Sequence, residues 1–215
     1  MVEKGNSIRV ANLKKIFKRN YVLKGISFEI KEKGLYLFVG DNGAGKTTLF
    51  KILSLILFPS EGEIFYNGER VNNKAEIFLK YIGFISHNPL LYPDLTCFEN
   101  LEFSSKFFNI PKERILELSE VFETKDYLNK KVKELSRGQI QRISLIKSIL
   151  HDPIFLYLDE PFNSLDKKGS KILESYIFEN MDKKIICISS HSYSEIFEES
   201  KRIFYLQKGE IVKEE

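Results

Sequence analysis

The sequence predicts an α/β fold with a mainly parallel core sheet, an antiparallel β appendage and an inserted helical lobe. Four short apolar runs, rich in Ile, Phe, Tyr and Val, end in a polar or glycine-containing turn, as strands buried on both faces of a parallel sheet do. These runs are "LYLFVG", "YIGFISH", "IFLYLDE" and "IICISSH". The first 33 residues and the segment "GEIFYNGERV" are more alternating and turn-bounded, which indicates antiparallel strands.

Helical patterns replace strand patterns between Pro93 and Pro153. Thr96 and Glu99 have the spacing of a capping box, and Ser136 precedes apolar residues at helical spacing. This stretch is therefore predicted to form a lobe inserted into the sheet-bearing part. We predict one domain over residues 1–215, with a sheet lobe over 1–86 and 152–215 and a helical lobe over 87–151.

Composition and charge exclude several classes of function. The 33 Lys and Arg residues against 30 acidic residues give a net charge of +3, and the charges alternate along the chain, so nucleic-acid binding is not expected. Apolar runs such as Ile52 to Phe58 fall short of the roughly 20 residues that a membrane-spanning helix requires. The start "MVEKGNSIRV" lacks the apolar stretch of a signal peptide. Cys97 and Cys187 form no metal-ligand pattern and are predicted to be reduced packing residues of a soluble, cytosolic protein.

The segment "GDNGAGKT", Gly40 to Thr47, matches the pattern G-x-x-x-x-G-K-[ST]. It lies between the strand-like run "LYLFV" and the helical run "TLFKILSLILF", Thr48 to Phe58. In that setting the loop wraps a polyphosphate with its backbone N–H groups, Lys46 reaches the β and γ phosphates, and the Thr47 hydroxyl ligates Mg²⁺. The motif narrows the predicted fold to a P-loop NTPase. The predicted nucleotide-binding residues of this loop are Gly40, Asn42, Gly43, Ala44, Gly45, Lys46, Thr47 and Thr48.

Two acidic residues support a hydrolytic site. Asp159 and Glu160 stand at the C-terminal end of the run "IFLYLDEP", the edge at which open α/β sheets bind their ligands. Asp159 is predicted to hold the metal directly or through water, and Glu160 to orient and deprotonate the attacking water. His191 ends "IICISSH" and is expected at the same edge, where a histidine can hydrogen-bond a γ-phosphate. Together these residues predict hydrolysis of a nucleoside triphosphate with Mg²⁺.

The order of these motifs resembles the ATP-binding cassette (ABC) family of ATPases over essentially the whole chain. "LSRGQ" precedes the acidic pair and is similar to the family's signature motif, and "NSLD" follows the pair. The resemblance implies that each ATP lies between the phosphate loop of one subunit and the signature of a second. We therefore expect a homodimer, or a pair with a paralogous ATPase, in the ATP-bound state.

The signature residues suit such a contact. Ser136 as N-cap and Gly138 in the first turn leave a helix N-terminus with free N–H groups and little bulk, which is an anion site. The resemblance implies that Ser136, Gly138 and Gln139 bind the ATP of the other subunit. Asp166 in "NSLD" resembles the family's D-loop at the dimer seam, and it could equally be only the N-cap of the following helix.

Three further positions depart from the family or leave a choice open. His87, in "IGFISH", occupies the place of a glutamine that reaches Mg²⁺ in the family, and it is expected among the metal ligands. Arg137 replaces a signature glycine, and its cation either attracts phosphate or points into solvent. Alignment favours Phe17 as the aromatic residue that stacks on adenine, with Tyr21 as the alternative.

The resemblance implies an ATP-binding and ATP-hydrolysing subunit of a transporter whose transmembrane permease is a separate polypeptide. The segments "SHNPLLYPDLT", "LSRGQ" and "SILHDP" are similar to ATPases of exporters, including those of haem export in cytochrome c biogenesis. We expect the chain in the cytoplasm, peripherally associated with the inner face of the cell membrane. The alternatives are an ABC ATPase that clamps DNA or ribosomes, and a P-loop kinase, which would leave the signature unexplained.

Overall fold

The computed structural model describes residues 6–71, 75–86, 89–191 and 198–215 of the chain. Its strands are β1 (Ile8–Phe17), β2 (Asn20–Ile30), β3 (Gly34–Val39), β4 (Glu61–Tyr66), β5 (Glu69–Arg70), β6 (Ile82–Ile85), β7 (Phe155–Asp159), β8 (Ile185–Ser190), β9 (Arg202–Gln207) and β10 (Glu210–Glu214). Its α-helices are α1 (Lys46–Leu53), α2 (Glu76–Leu79), α3 (Cys97–Phe108), α4 (Glu113–Val121), α5 (Arg137–Ile149) and α6 (Lys167–Asn180). No helix among these residues is long and apolar enough to cross a bilayer.

Strands β1, β2, β4 and β5 form an antiparallel sheet in the order β2-β1-β4-β5. Many buried positions of β2 alternate with exposed ones, because one face of the sheet packs on the core. The register of β1 shifts around Asn12, whose φ is +48°, and Gly62 of β4 lies beside this irregularity. A Cβ at Gly62 would lie 2.4 Å from the carbonyl oxygen of Asn12, so only glycine fits there. This sheet is the antiparallel appendage that the sequence predicted.

Strands β3, β6, β7, β8, β9 and β10 form the core sheet in the order β10-β9-β3-β8-β7-β6. Its strands β6, β7, β8, β3 and β9 run parallel, and β10 returns antiparallel to β9. The turn between them uses Lys208 and Gly209, both with positive φ, as two-residue hairpin turns do. All four runs predicted as buried parallel strands lie in this sheet. The hairpin of β9 and β10 was not predicted from the sequence.

Side chains of β3 point alternately into two apolar clusters on opposite faces of the core sheet. Tyr36 and Phe38 join the cluster that includes α1 and the antiparallel sheet. Leu35 and Leu37 join the cluster formed with α3, α4, α5 and α6. Successive residues of a strand face opposite ways, so covering both faces requires the continuous apolar runs seen in the sequence.

The two helices that the sequence predicted from capping residues begin where expected. The Thr96 hydroxyl accepts a hydrogen bond from the N–H of Glu99, and the Glu99 carboxylate accepts one from the N–H of Thr96 at the start of α3. Ser136 and Gln139 form the same reciprocal pair at the start of α5. Such a box satisfies donors that a helix start leaves free. The division of the chain into a sheet lobe and a helical lobe stays a prediction.

Helix α1 is shorter than its sequence indicates. The run "TLFKILSLILF" predicts a helix as far as Phe58, but α1 ends at Leu53, and Leu55 has a φ of +60°. Pro59 cannot continue a helix and disfavours a helical conformation at the residue before it. The prediction was therefore wrong over its last five residues, Ser54 to Phe58, and Phe58 is 71% exposed.

Candidate functional site

The segment Gly40 to Thr47 forms the loop after β3 and the first two residues of α1. Two of its glycines are required for steric reasons. A Cβ at Gly40 would lie 2.2 Å from the carbonyl oxygen of Leu206. Gly45 has a φ of +108°, and a Cβ there would lie 2.7 Å from Cδ2 of Leu23. The backbone can follow this path only without side chains at these two positions. The path leads into the N-terminus of α1, whose first N–H groups have no partner within the helix.

Lys46 places a positive charge inside this loop. Its side chain is 5% exposed, and Nζ donates to the carbonyl oxygens of Gly40 (2.6 Å) and Asp41 (3.2 Å). Nζ also lies 3.4 Å from Oε1 of Glu160. The ammonium group is thus held between the loop and the acidic pair, where a nucleotide's terminal phosphates are expected.

The loop and Glu160 line a shallow pocket of about 150 Å³. Its lining residues are Val22, Asn42, Gly43, Gly45, Lys46, Thr47, Thr48 and Glu160. Six of the eight predicted loop residues, Lys46 among them, line the pocket, so the sequence motif and the cavity coincide. Ala44 is buried beneath the loop.

Asp159 is fully buried at the end of β7, and only one of its two carboxylate oxygens is hydrogen-bonded among the described residues. Its Oδ1 accepts a hydrogen bond of 2.6 Å from the hydroxyl of Ser189. Its Oδ2 has no hydrogen-bond partner among the residues that the structure describes. A buried carboxylate oxygen without a partner is costly, and a cation or its bound water removes that cost.

This orphaned oxygen fits the Mg²⁺ that the sequence predicts. Within the described ranges, no cluster of three or more His, Cys, Asp or Glu side chains could hold a metal by itself. Mg²⁺ commonly takes one or two protein ligands and completes its shell with phosphates and water. Asp159 and the exposed Thr47 of the loop are the protein groups that suit such a shell. His87, the third predicted ligand, lies outside the described residues.

Glu160 follows Asp159 in a left-handed backbone conformation, with a φ of +48°. Such a conformation costs a non-glycine residue ~1–3 kcal/mol and is held by its surroundings. Its N–H donates to the carbonyl oxygen (3.2 Å) and to the hydroxyl (3.0 Å) of Ser189. Its carboxylate accepts a hydrogen bond of 2.7 Å from Asn163 and lies 3.8 Å from Nδ1 of His191. The structure thus places His191 beside Glu160, as the sequence predicted for this sheet edge.

The signature segment lines a second and larger pocket of about 680 Å³. Its lining residues are Tyr127, Ser136, Arg137, Gly138, Gln139, Arg142, Asn163, Ser164, Leu165 and Asp166. The predicted residues Ser136, Gly138, Gln139 and Asp166 therefore lie together. None of them lines the pocket of the phosphate loop. The two groups of predicted residues are separate within one chain.

Asp166 is held by a buried arginine of α5. Arg142 is 8% exposed, and its Nη2 lies 2.7 Å from Oδ1 of Asp166. The same oxygen accepts a hydrogen bond from the N–H of Gly169, so Asp166 is also the N-cap of α6. The hydrogen bond from the Arg142 guanidinium holds the pKa of Asp166 below its usual value. Asp166 therefore caps α6 and also lines the signature pocket, so its position fits both a D-loop residue and a helix N-cap.

Asn163 and Ser189 are contacts of the acidic pair that sequence reasoning missed. Asn163 bonds Glu160 and also lines the signature pocket, so it connects the two pockets. Its place three residues after Glu160 was a signal available in the sequence. Ser189 is distant from the acids along the chain, and only the pairing of β7 with β8 brings it to Asp159.

The remaining candidates lie at the surface. Phe17 and Tyr21 are 44% and 54% exposed, on the hairpin of β1 and β2 that leads to Val22 in the phosphate pocket. Both rings are therefore accessible, and the choice between them as adenine platform stays open. Arg137 is exposed at the rim of the signature pocket.

Known proteins resemble this chain over nearly its full length. The family described as "ABC transporter" matches residues 23–163. The uncharacterized ABC transporter ATP-binding protein YhcH of Bacillus subtilis (strain 168) is 33% identical over 208 residues, which cover 95% of this chain and 68% of YhcH. The glucose import ATP-binding protein GlcV of Saccharolobus solfataricus is 31% identical over 217 residues, covering 95% of this chain and 62% of GlcV. The chain thus spans about two thirds of the length of these two relatives.

Solved structures resemble it as well. The dimeric structure of MJ0796, a bacterial ABC transporter cassette, has a TM-score of 0.86 and 26% identity, with 97% of each chain covered. A dimeric structure of MJ0796 in a post-hydrolysis state, bound to ADP and Pi, has a TM-score of 0.84 and 25% identity over the same share of each chain. These likenesses confirm the predicted P-loop NTPase fold.

Proposed function

The chain belongs to the ABC transporter family, as its motifs predicted, and on this premise we propose that it drives a separate membrane permease by ATP-dependent closure of a dimer. It is an ATPase, the enzyme class that the motifs predicted. The observation that carries the proposal is the separation of two half-sites. Lys46 and Glu160 line one pocket, with the buried Asp159 directly before Glu160, and Ser136 with Gly138 lines another.

The residues of the first pocket are suited to bind and activate ATP. The loop's N–H groups and the Lys46 ammonium neutralise the phosphates. Glu160, fixed by Asn163 and near His191, accepts a proton from the attacking water. Asp159 and Thr47 would hold Mg²⁺ bound with ATP, and the cation would supply positive charge beside the phosphate oxygens.

The second pocket completes the site of another subunit. The start of α5 offers free N–H groups and the Ser136 hydroxyl to a γ-phosphate presented by a second chain. Because a single chain keeps this helix start apart from its own phosphate loop, two chains packed head to tail would form two complete sites. Closure of that dimer around ATP, and its opening after hydrolysis, would change the conformation of the attached permease.

The surface that would contact the permease is an apolar groove on α3. The groove has a volume of about 560 Å³ and is lined by Pro89, Leu90, Leu91, Tyr92, Phe103, Ser104, Phe107, Phe108 and Lys147. Phe103 and Phe107 are 58% and 64% exposed, which is unusual for neighbouring phenylalanines on one helix. A membrane subunit that inserts a short apolar segment here would be moved by closure of the dimer and would hold the chain at the inner face of the membrane.

Purification from membranes tests this proposal. A tagged chain with both Phe103→Ser and Phe107→Ser is expected to lose at least 90%, or roughly tenfold, of the polytopic membrane protein that the parent retains in detergent. The matched control is Phe178→Ser on α6, which removes another exposed phenylalanine and should keep the partner. Recovery of ribosomes or DNA in place of a membrane protein would favour the clamp function instead.

Export is the direction that we propose from the exporter-like segments of the sequence. The relative GlcV is named for glucose import, so similarity of this degree does not by itself indicate export. ATP-dependent accumulation of cargo in inside-out vesicles that contain the permease would support export, and ATP-dependent loss of cargo from them would support import.

Phe17 is proposed to stack on the adenine ring. Stacking of a base on an aromatic side chain contributes ~1–3 kcal/mol, so Phe17→Ala is expected to weaken ATP binding about tenfold or more. Equilibrium binding of a fluorescent ATP analogue measures the change. Tyr21→Ala is the matched control and should alter affinity less than about threefold. The reverse ranking of the two variants would assign the platform to Tyr21.

A further inference from the structure

A serine near the C-terminal end of strand β8 bridges the two acidic residues of the site. Ser189 is fully buried, and the four residues before it are Ile185, Ile186, Cys187 and Ile188. A buried hydroxyl is unfavourable unless it is hydrogen-bonded, so its presence in this strand calls for a specific partner. Ser189 has two, and both belong to the acidic pair.

The directions of these two hydrogen bonds are fixed by the donors available. The N–H of Glu160 can only donate, so the Ser189 oxygen accepts it at 3.0 Å. The single hydroxyl proton of Ser189 is then donated to Oδ1 of Asp159 at 2.6 Å. A short bond of this kind to a carboxylate is charge-assisted and strong. It occupies Oδ1 and leaves Oδ2 as the oxygen without a partner among the described residues.

We propose that Ser189 is a positioning residue of the ATPase, which holds Asp159 in the orientation for Mg²⁺ and keeps Glu160 in its left-handed conformation for the attacking water. This inference rests on the proposed function of Asp159 and Glu160. One hydroxyl couples the metal-holding carboxylate to the backbone of the general base, so a single substitution should loosen both.

Binding of Mn²⁺ in place of Mg²⁺ tests the inference without relying on turnover. Mn²⁺ is titrated by electron paramagnetic resonance into the full chain saturated with a non-hydrolysable ATP analogue. Ser189→Ala is expected to weaken Mn²⁺ binding about tenfold or more, since loss of a partner that orients a metal ligand has effects of roughly 10- to 100-fold. Binding of the analogue without divalent metal should be unchanged, because the phosphate loop keeps all its groups.

Two substitutions separate positioning from simple packing. Ser189→Thr keeps the hydroxyl and should restore Mn²⁺ binding to within about threefold of the parent, in contrast to Ser189→Ala. Ser119→Ala removes an equally buried hydroxyl from α4, which is hydrogen-bonded to neither acid, and should leave Mn²⁺ binding unchanged. Thermal denaturation verifies that each variant is folded. If Ser189→Ala does not fold, Ser189→Cys, which is close in volume and a weaker donor, should show the same loss.

The outcomes distinguish this inference from the proposed function. Equal Mn²⁺ affinity of the parent and of a folded Ser189→Ala or Ser189→Cys variant overturns the role of Ser189 and leaves the ATPase site intact. A parent chain that binds neither the analogue nor Mn²⁺ overturns the proposed site itself. Weakened Mn²⁺ binding, together with unchanged metal-free nucleotide binding and rescue by threonine, supports the inference.

Discussion

Glu160→Gln is expected to lower ATP turnover by about 10²- to 10⁴-fold while ATP stays bound. The amide cannot accept a proton from water, so the chemical step loses its general base. Lys46 should keep its position in this variant, because its ammonium group also donates hydrogen bonds to the carbonyl oxygens of Gly40 and Asp41. Phosphate release in the steady state measures turnover, and filter binding with labelled ATP measures retention.

The control for this substitution is Glu179→Gln, which removes an exposed carboxylate from α6 and should turn over ATP like the parent. A Glu160→Gln chain that hydrolyses ATP at more than about a third of the parental rate would contradict the assignment of Glu160 as general base. A chain that loses both turnover and ATP binding would instead assign Glu160 to nucleotide binding through its contact with Lys46.

Gly138→Asp is expected to abolish turnover, with a loss of about 10²-fold or more, although this residue lines a different pocket from the phosphate loop. The added carboxylate would repel the γ-phosphate of a second chain at the start of α5. It is compatible with folding, since an acidic residue in the first turn of a helix interacts favourably with the helix dipole. A Cβ at this position would lie 3.2 Å from the carbonyl oxygen of Ser164, which requires only a small adjustment.

Each Gly138→Asp chain should still bind ATP with parental affinity, because its own phosphate loop is intact. Ser175→Asp, which adds a carboxylate to the exposed face of α6, is the charge-matched control and should retain turnover. Parental turnover by a folded Gly138→Asp chain would show that the start of α5 takes no part in catalysis.

The phosphate loop could be predicted because its geometry depends on residues that are contiguous in the chain. Gly40, Gly45 and Lys46 occupy fixed places in one turn between a strand and a helix, and the structure shows the steric reason for each glycine. Asp159 was predictable for a related reason, since a polar residue that ends a buried strand must emerge at the ligand-binding edge of a parallel sheet. The roles of these residues remain predictions.

Contacts across the sheet could not be predicted from spacing. Apolar periodicity identifies β7 and β8 but does not give their register, and the register is what places Ser189 opposite Asp159. The same limit applies to the ion pair of Arg142 with Asp166, which depends on the packing of α5 near the start of α6. The end of α1 was misjudged because an apolar run continues past Leu53 while the backbone leaves the helix.

The most direct test of the central claim, that ATP is bound between two chains, is the assembly state of Glu160→Gln and of Glu160→Gln with Gly138→Asp in saturating ATP. Sedimentation equilibrium combined with counting of bound nucleotide measures it. We predict a dimer with one ATP per chain for the first protein, and a monomer that binds ATP equally well for the second. A Glu160→Gln chain that stays monomeric with ATP bound, or a double variant that dimerises as readily as the single one, would contradict the claim.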